Sequence, residues 1–172
     1  MIRTLTITAA LLLSPASAFA DCSSTERLLD HHMLDAPVCI PADPQRIAFT
    51  MEEIIAAYAM GSESVIDNWY LQSFRGNFPG MTKTVDLPPV DVSYYPQSDI
   101  ETLTLAAPDL IVSFPEIDNN AKAAELAPLV ALKWEDDTTW RDLHHFMALL
   151  LDKEDEGQAM LDALDARIAK LK

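Results

Sequence analysis

The chain has 172 residues, 49% of them hydrophobic, with 12 basic against 27 acidic side chains and a formal net charge of −15. That charge argues against nucleic acid or an anionic membrane surface as a partner, because both repel a strongly acidic protein. It names no ligand, since acidity alone also keeps proteins soluble.

Residues 1–20 read as an export signal peptide rather than as part of a fold. Arg3 gives the basic start, Leu5 to Leu13 an apolar run, and Ala18-Phe19-Ala20 a small-x-small cleavage pattern. The run is too short to span a bilayer. Asp21, directly before Cys22, stands where a lipid-anchored cysteine would need a small residue. The expectation is a periplasmic chain beginning near Asp21, with net charge −16 once Arg3 is removed. Its roughly 150 residues can bury one core, which predicts one domain. In an oxidising compartment the two cysteines, Cys22 and Cys39, suit a single disulfide. A metal site is the weaker alternative, because there are only two thiols and no CxxC spacing.

The predicted elements then follow in order. A hairpin-like entry is formed by "ERLLDHH" and "APVCIP". Arg46–Thr50 is a short apolar strand, and "MEEIIAAYAMG" is a helix with Ile54, Ile55, Tyr58 and Ala59 at helical spacing and Gly61 as its stop. Further strands are predicted at Ser64–Ile66 and Thr84–Leu87. Ser98–Phe114 reads as a helix, a corner at Ala107-Pro108-Asp109, and the clearest strand, Asp109–Phe114. "DNNAKAAELA" predicts a helix capped by Asp118, Leu129–Trp134 a last strand, and "TWRDLHHFMALLL" a helix capped by Thr139. The chain ends in an amphipathic helix with the stripe Met160, Leu161, Leu164, Ile168 and Leu171.

Short apolar strands alternating with helices predict an α/β fold, a mostly parallel sheet covered on both faces. Ligands in such folds sit beyond the carboxyl ends of the strands. Here those positions are Thr50-Met51-Glu52, Asp67-Asn68-Trp69-Tyr70 and Ser113-Phe114-Pro115-Glu116, with the Tyr94-Tyr95 loop bordering the same rim.

The segments "VCIPADPQRIAFT", "IIAAYAMGSESVI", "SDIETLTLAAPDLIVSF", "ELAPLVAL" and "LLLDKEDEGQAMLDALDARIAKL" occur in this order behind the export signal. Together they resemble the N-terminal lobe of the substrate-binding proteins of iron-siderophore, haem and cobalamin ABC importers. The resemblance implies a three-layer α/β/α lobe over residues 21–153 and the start of a long connecting helix over residues 154–172. It also implies a second lobe that is absent here, so that the chain is a gene fragment, half of a split gene, or a lobe served by a separate chain. By the same likeness the protein is a non-catalytic monomer that captures a ferric siderophore and delivers it to an inner-membrane permease. Iron would enter only within the bound chelate, with no resident cofactor. In the family, a glutamate in the helix before "PDLIV" docks into a basic pocket of the permease. "IETLTLAAPDLIV" carries that role to Glu101, whose other reading is a first-turn carboxylate stabilised by the helix dipole.

Large chelates need aromatic walls and a few aimed polar groups. Trp69, Tyr70, Tyr94, Tyr95 and Phe114 are the candidate walls, and Arg75 the partner for an anionic ligand oxygen; ring packing against the sheet is the alternative for each. Tyr94 or Tyr95 would be the residue to ligate haem iron, with a packing role or a water-bound hydroxyl as the alternative, so haem ranks behind siderophore; cobalamin is the other alternative ligand of the same family. His31-His32 and His144-His145 are adjacent pairs, which diverge in strands and helices alike and chelate poorly alone. There is no GxSxG, HExxH or Gly-rich phosphate loop. Asp86, Asp136 and Asp137 have no evident partner base. A small exported α/β hydrolase and a non-functional orphan lobe are the readings of other classes.

Overall fold

The computed structural model describes residues 22–50, 53–62, 65 and 100–171. The export signal and the strand expected at Thr84–Leu87 lie outside the described residues.

The N-terminal hairpin pairs β1 (Glu26–Leu29) with β2 (Val38–Pro41), from Glu26 opposite Pro41 to Leu29 opposite Val38. A disulfide joins Cys22 to Cys39, as the sequence predicts. It closes a loop of sequence separation 17, worth ~3 kcal/mol in the chain-entropy account.

Three parallel strands follow in the order β3 (Ile47–Phe49), β4 (Leu110–Ser113) and β5 (Leu129–Ala131). Every residue of β4 is buried, as befits a central strand covered on both sides. Alternating side chains divide between two cores. Ile47, Phe49, Leu110, Val112, Val130 and Leu132 enter the larger one, with helices α1 (Glu53–Ala59) and α4 (Trp140–Leu150) and the hairpin residues Leu29, Met33 and Ile40. Ala48 and Ile111 enter the smaller one, under α2 (Ile100–Ala106) and α3 (Asn120–Ala123). The outcome is the three-layer α/β/α arrangement, with α5 (Glu154–Ala169) packed on α4.

Backbone polarity shows on which side of β3 Val65 lies. Thr50 N–H donates to Val112 C=O at 3.1 Å and Asp109 N–H to Arg46 C=O at 2.9 Å, so this set of backbone groups faces β4. Ile47 C=O points the other way and accepts from Val65 N–H at 2.9 Å. The chain therefore returns on the far side of β3, where the sequence predicts the Ser64–Ile66 strand. Val65 and β4 thus flank β3 on opposite sides, which makes the carboxyl ends of β3 and β4 a topological switch point.

Two boundaries differ from the sequence reading. The helix expected from Asp118 is only four residues long, and its N-cap is Asn119, in a left-handed conformation with φ 70°. Asparagine tolerates that region better than most residues. The last strand ends at Ala131, short of Trp134, because Lys133 N–H leaves the sheet to donate to Met33 C=O at 2.8 Å. Thr139, by contrast, caps α4 as predicted, in a reciprocal capping box with Asp142.

Candidate functional site

At the switch point the ends of β3 and β4 are joined by a short chain of polar contacts. Thr50 N–H donates to the fully buried Glu53 carboxylate at 2.8 Å, and Thr50 Oγ1 donates to Ser113 Oγ at 3.2 Å. Ser113 Oγ donates to Asn120 Oδ1 at 2.9 Å, and Asn120 Nδ2 donates to Phe114 C=O at 2.7 Å. Four elements thus converge: the ends of β3 and β4 and the starts of α1 and α3. Buried polar groups are costly unless paired, and here the Thr50, Ser113 and Asn120 side chains satisfy one another. The chain of contacts fixes the spacing between Thr50, at the end of β3, and the Ser113–Glu116 segment that follows β4. Its chemistry is that of a scaffold, since Ser113 meets a hydroxyl and an amide and no base.

Phe114, expected as an aromatic wall, is only 4% exposed and lies in the larger core. It is the residue after a fully buried strand, so its ring serves packing and leaves little surface for a ligand. Trp69, Tyr70, Arg75, Tyr94 and Tyr95 lie outside the described residues. Glu101 is exposed in the first turn of α2. That helix ends at the corner leading into β4, so Glu101 sits toward the end of α2 remote from that corner. Leu105, one turn further along α2, is 83% exposed.

Two of the four histidines, His31 and His144, are drawn into packing. His31 stacks near His32 and meets the Phe146 ring edge-on at 5.2 Å, and its Nδ1 accepts from Met33 N–H at 3.2 Å. Burial, followed by the neighbouring His32, pushes the His31 pKa down. His32 Nε2 lies 3.7 Å from Asp142. The Thr139 hydroxyl and N–H hold Asp142 below its usual value. His144 is buried, and its Nε2 bonds Gly157 C=O at 3.0 Å. Among the described residues, no group of three His, Cys, Asp or Glu is placed to hold a metal ion.

Trp134 was absent from the candidates drawn from sequence, where it counts as the end of a strand. In the structure it lies beyond the carboxyl end of β5, in a loop, with 47% of its surface exposed. Only its position directly after an apolar strand could have signalled this. Beside it Lys133 lies 3.2 Å from Asp35 and 3.6 Å from Glu135, and the Asp35 contact is the main cause raising its pKa.

No protein-family model matches the chain, and no curated protein matches it by sequence. Solved structures do match its fold. The FhuD protein of S. pseudintermedius aligns with TM-score 0.68 and 18% identity, covering 84% of this chain and 50% of that one. A periplasmic solute-binding protein of Mycobacterium smegmatis gives 0.64 and 21%, covering 84% and 53%. PiaA of Streptococcus pneumoniae, solved with ferrichrome, gives 0.63 and 22%, covering 83% and 50%. The chain spans about half the length of these structures. At such identities the likeness is one of fold: one α/β/α half of a solute-binding protein. No helix among the described residues is long and apolar enough to cross a membrane.

Proposed function

We propose that this chain is one lobe of an exported, non-catalytic solute-binding protein that captures a ferric siderophore and presents it to an ABC permease. The observation that carries the reading is the fold match to half of several solute-binding proteins, one of them solved with the iron chelate ferrichrome. The switch-point edge of the sheet is the ligand side. Trp69, Tyr70, Tyr94 and Tyr95 supply aromatic walls there, Arg75 pairs an anionic ligand oxygen, and Glu101 docks to cationic side chains of the permease. A second α/β lobe, outside this chain, supplies the other wall of the cleft, and α5 leads toward it.

One lobe leaves half of the ligand in water, which sets the expected affinity. Half of a nanomolar clamp's roughly −12 kcal/mol is about −6 kcal/mol, or tens of micromolar. The cost of association is not halved, so binding is weaker still. Equilibrium dialysis of the monomer against ferrichrome, haemin and cobalamin should give saturable but weak binding of ferrichrome alone. Micromolar or tighter binding by the monomer would sink the one-lobe argument, and preference for haemin or cobalamin would replace the chelate class. No binding of any of the three at millimolar concentration would remove the reading altogether.

A further inference from the structure

Trp134 stands on a fixed base with its ring in solvent. Leu132 N–H donates to Ser113 C=O at 2.8 Å, which extends sheet pairing up to the residues of the switch-point network. Lys133 N–H then donates to Met33 C=O at 2.8 Å. On the other side of Trp134, Glu135 N–H donates to the Thr138 hydroxyl at 3.0 Å, and Thr138 N–H returns to Glu135 C=O at 2.9 Å. The backbone is thus tied immediately before and immediately after the indole. A large ring held in place but left half open to water is the form binding sites give tryptophan, since its ordering cost is met before the ligand arrives.

Trp140 supplies the contrast. It is 52% exposed, but the Arg141 guanidinium lies 4.6 Å from its ring centroid, and Arg141 also pairs with Asp165 of α5. Among the described residues, Trp134 has no such stacking partner. Its surroundings also favour one kind of ligand surface. Glu135, Asp136 and Asp137 follow it, and the neighbouring Lys133 ammonium is already engaged by Asp35 and Glu135. An anionic group would meet repulsion there, whereas an apolar face would not.

We infer that Trp134 is a ligand-contact residue, the wall of the cleft beyond β5, and that it stacks on the apolar organic scaffold of the chelate rather than on its anionic oxygens. This rests on the proposed function, and the test separates the two. The chain has three tryptophans, Trp69, Trp134 and Trp140, hence three indole N–H resonances, assignable by single Trp→Phe substitutions. The full chain, labelled with nitrogen-15, is titrated with the diamagnetic gallium(III) form of ferrichrome. The Trp134 resonance should shift saturably while that of Trp140 stays in place. Trp134→Ala should weaken the fitted affinity about tenfold and Trp134→Phe about threefold or less, as expected for stacking contacts. A thermal melt checks that both variants remain folded. If backbone resonances report binding while the Trp134 indole stays still, or Trp134→Ala binds like the parent, the inference fails and the proposed function stands. If no resonance moves at millimolar ligand, both fail.

Discussion

Asp109 accepts two backbone N–H groups at once, from Gln45 at 2.8 Å and from Arg46 at 3.0 Å, while its own N–H donates to Arg46 C=O at 2.9 Å. The Arg46 guanidinium reaches across to the Ala106 and Ala107 carbonyls at the end of α2. The two most recognisable motifs in the sequence, "PQRI" and "PDLIV", therefore clasp each other at the amino ends of β3 and β4. Their residues were legible as a signature, but the contact between them was not, because it joins positions more than sixty residues apart. Two other cations act as Arg46 does. Arg27 donates to the Leu149 and Leu150 carbonyls of α4, and Lys153 to Met60 C=O just past α1. Positive charge at a helix carboxyl end satisfies orphan carbonyls and opposes the dipole. Asp109→Asn replaces one acceptor oxygen by an amide that faces an N–H, so it should cost about 1–3 kcal/mol in urea denaturation; chelate affinity should stay unchanged. A stable but non-binding variant would mean that the corner belongs to the site. His31 makes a pH prediction. Its folded pKa lies below the ordinary value of 6.5 because of burial first and His32 second, and its Nδ1 accepts a backbone N–H that only the neutral ring can take. The unfolded chain protonates first, so this stability is complete above 6.5 and is lost as pH falls from there through the lower folded value. His31→Asn should flatten the fall of melting temperature over that acid window; an unchanged slope would assign the dependence elsewhere.

At the scale of the element, the long helices were the most legible parts of the chain. Leu143, Phe146, Met147 and Leu150 recur at helical spacing and all four are buried in α4, behind the predicted cap Thr139. The short helix α3 was overestimated. "DNNAKAAELA" has helical composition, but Asn119 turns left-handed and the Asn120 side chain is committed to Ser113 and Phe114. Tertiary contacts overrode propensity there. The packing of α5 on α4 was not legible, because it depends on a close approach at Gly157. A Cβ at that position would stand 2.6 Å from Ala148 Cβ, with His144 Nε2 at 3.5 Å and Met60 Sδ at 3.7 Å. The opposing carbon is fixed to a helix backbone and cannot swing aside. Gly157→Ala gains about 1 kcal/mol of helix propensity but overpacks the contact by about 1–3 kcal/mol. The net effect should be a loss of up to about 2 kcal/mol, read by chemical denaturation. Ala148→Gly in the same chain should recover most of the overpacking, since the two sites touch. A stabilising single substitution, gaining the full helix propensity, would show that the helices separate freely.

At the scale of the molecule, the sequence motifs and the solved structures point to the same thing by different routes: an α/β/α lobe about half the length of the proteins it matches. The rim was less legible than the lobe. A place beyond a strand's carboxyl end suggested Phe114 as a wall, yet its ring is buried, while Trp134, read as the last residue of a strand, is half exposed. The same distinction runs along α5. Gly157 and Leu161 are buried against the lobe, with Leu161 only 4% exposed, and Leu164 is half-buried. Further along, Ile168 is 40% and Leu171 87% exposed, so the apolar stripe continues past the surface that covers it. Beyond Leu164 the Arg141–Asp165 ion pair ties the helix to the lobe, an exposed contact of a kind worth about 0–1 kcal/mol. A few helical turns without packing are marginal in water. Native-state hydrogen exchange should therefore show strong protection from Gly157 to Leu164 and a steep fall from Ala166 to Leu171. If a second lobe seats on the stripe, as the connector role requires, adding that lobe should raise protection over Ala166–Leu171 and leave α4 unchanged. Uniform protection along the whole of α5 in the isolated chain would show that the distal turns need no further partner.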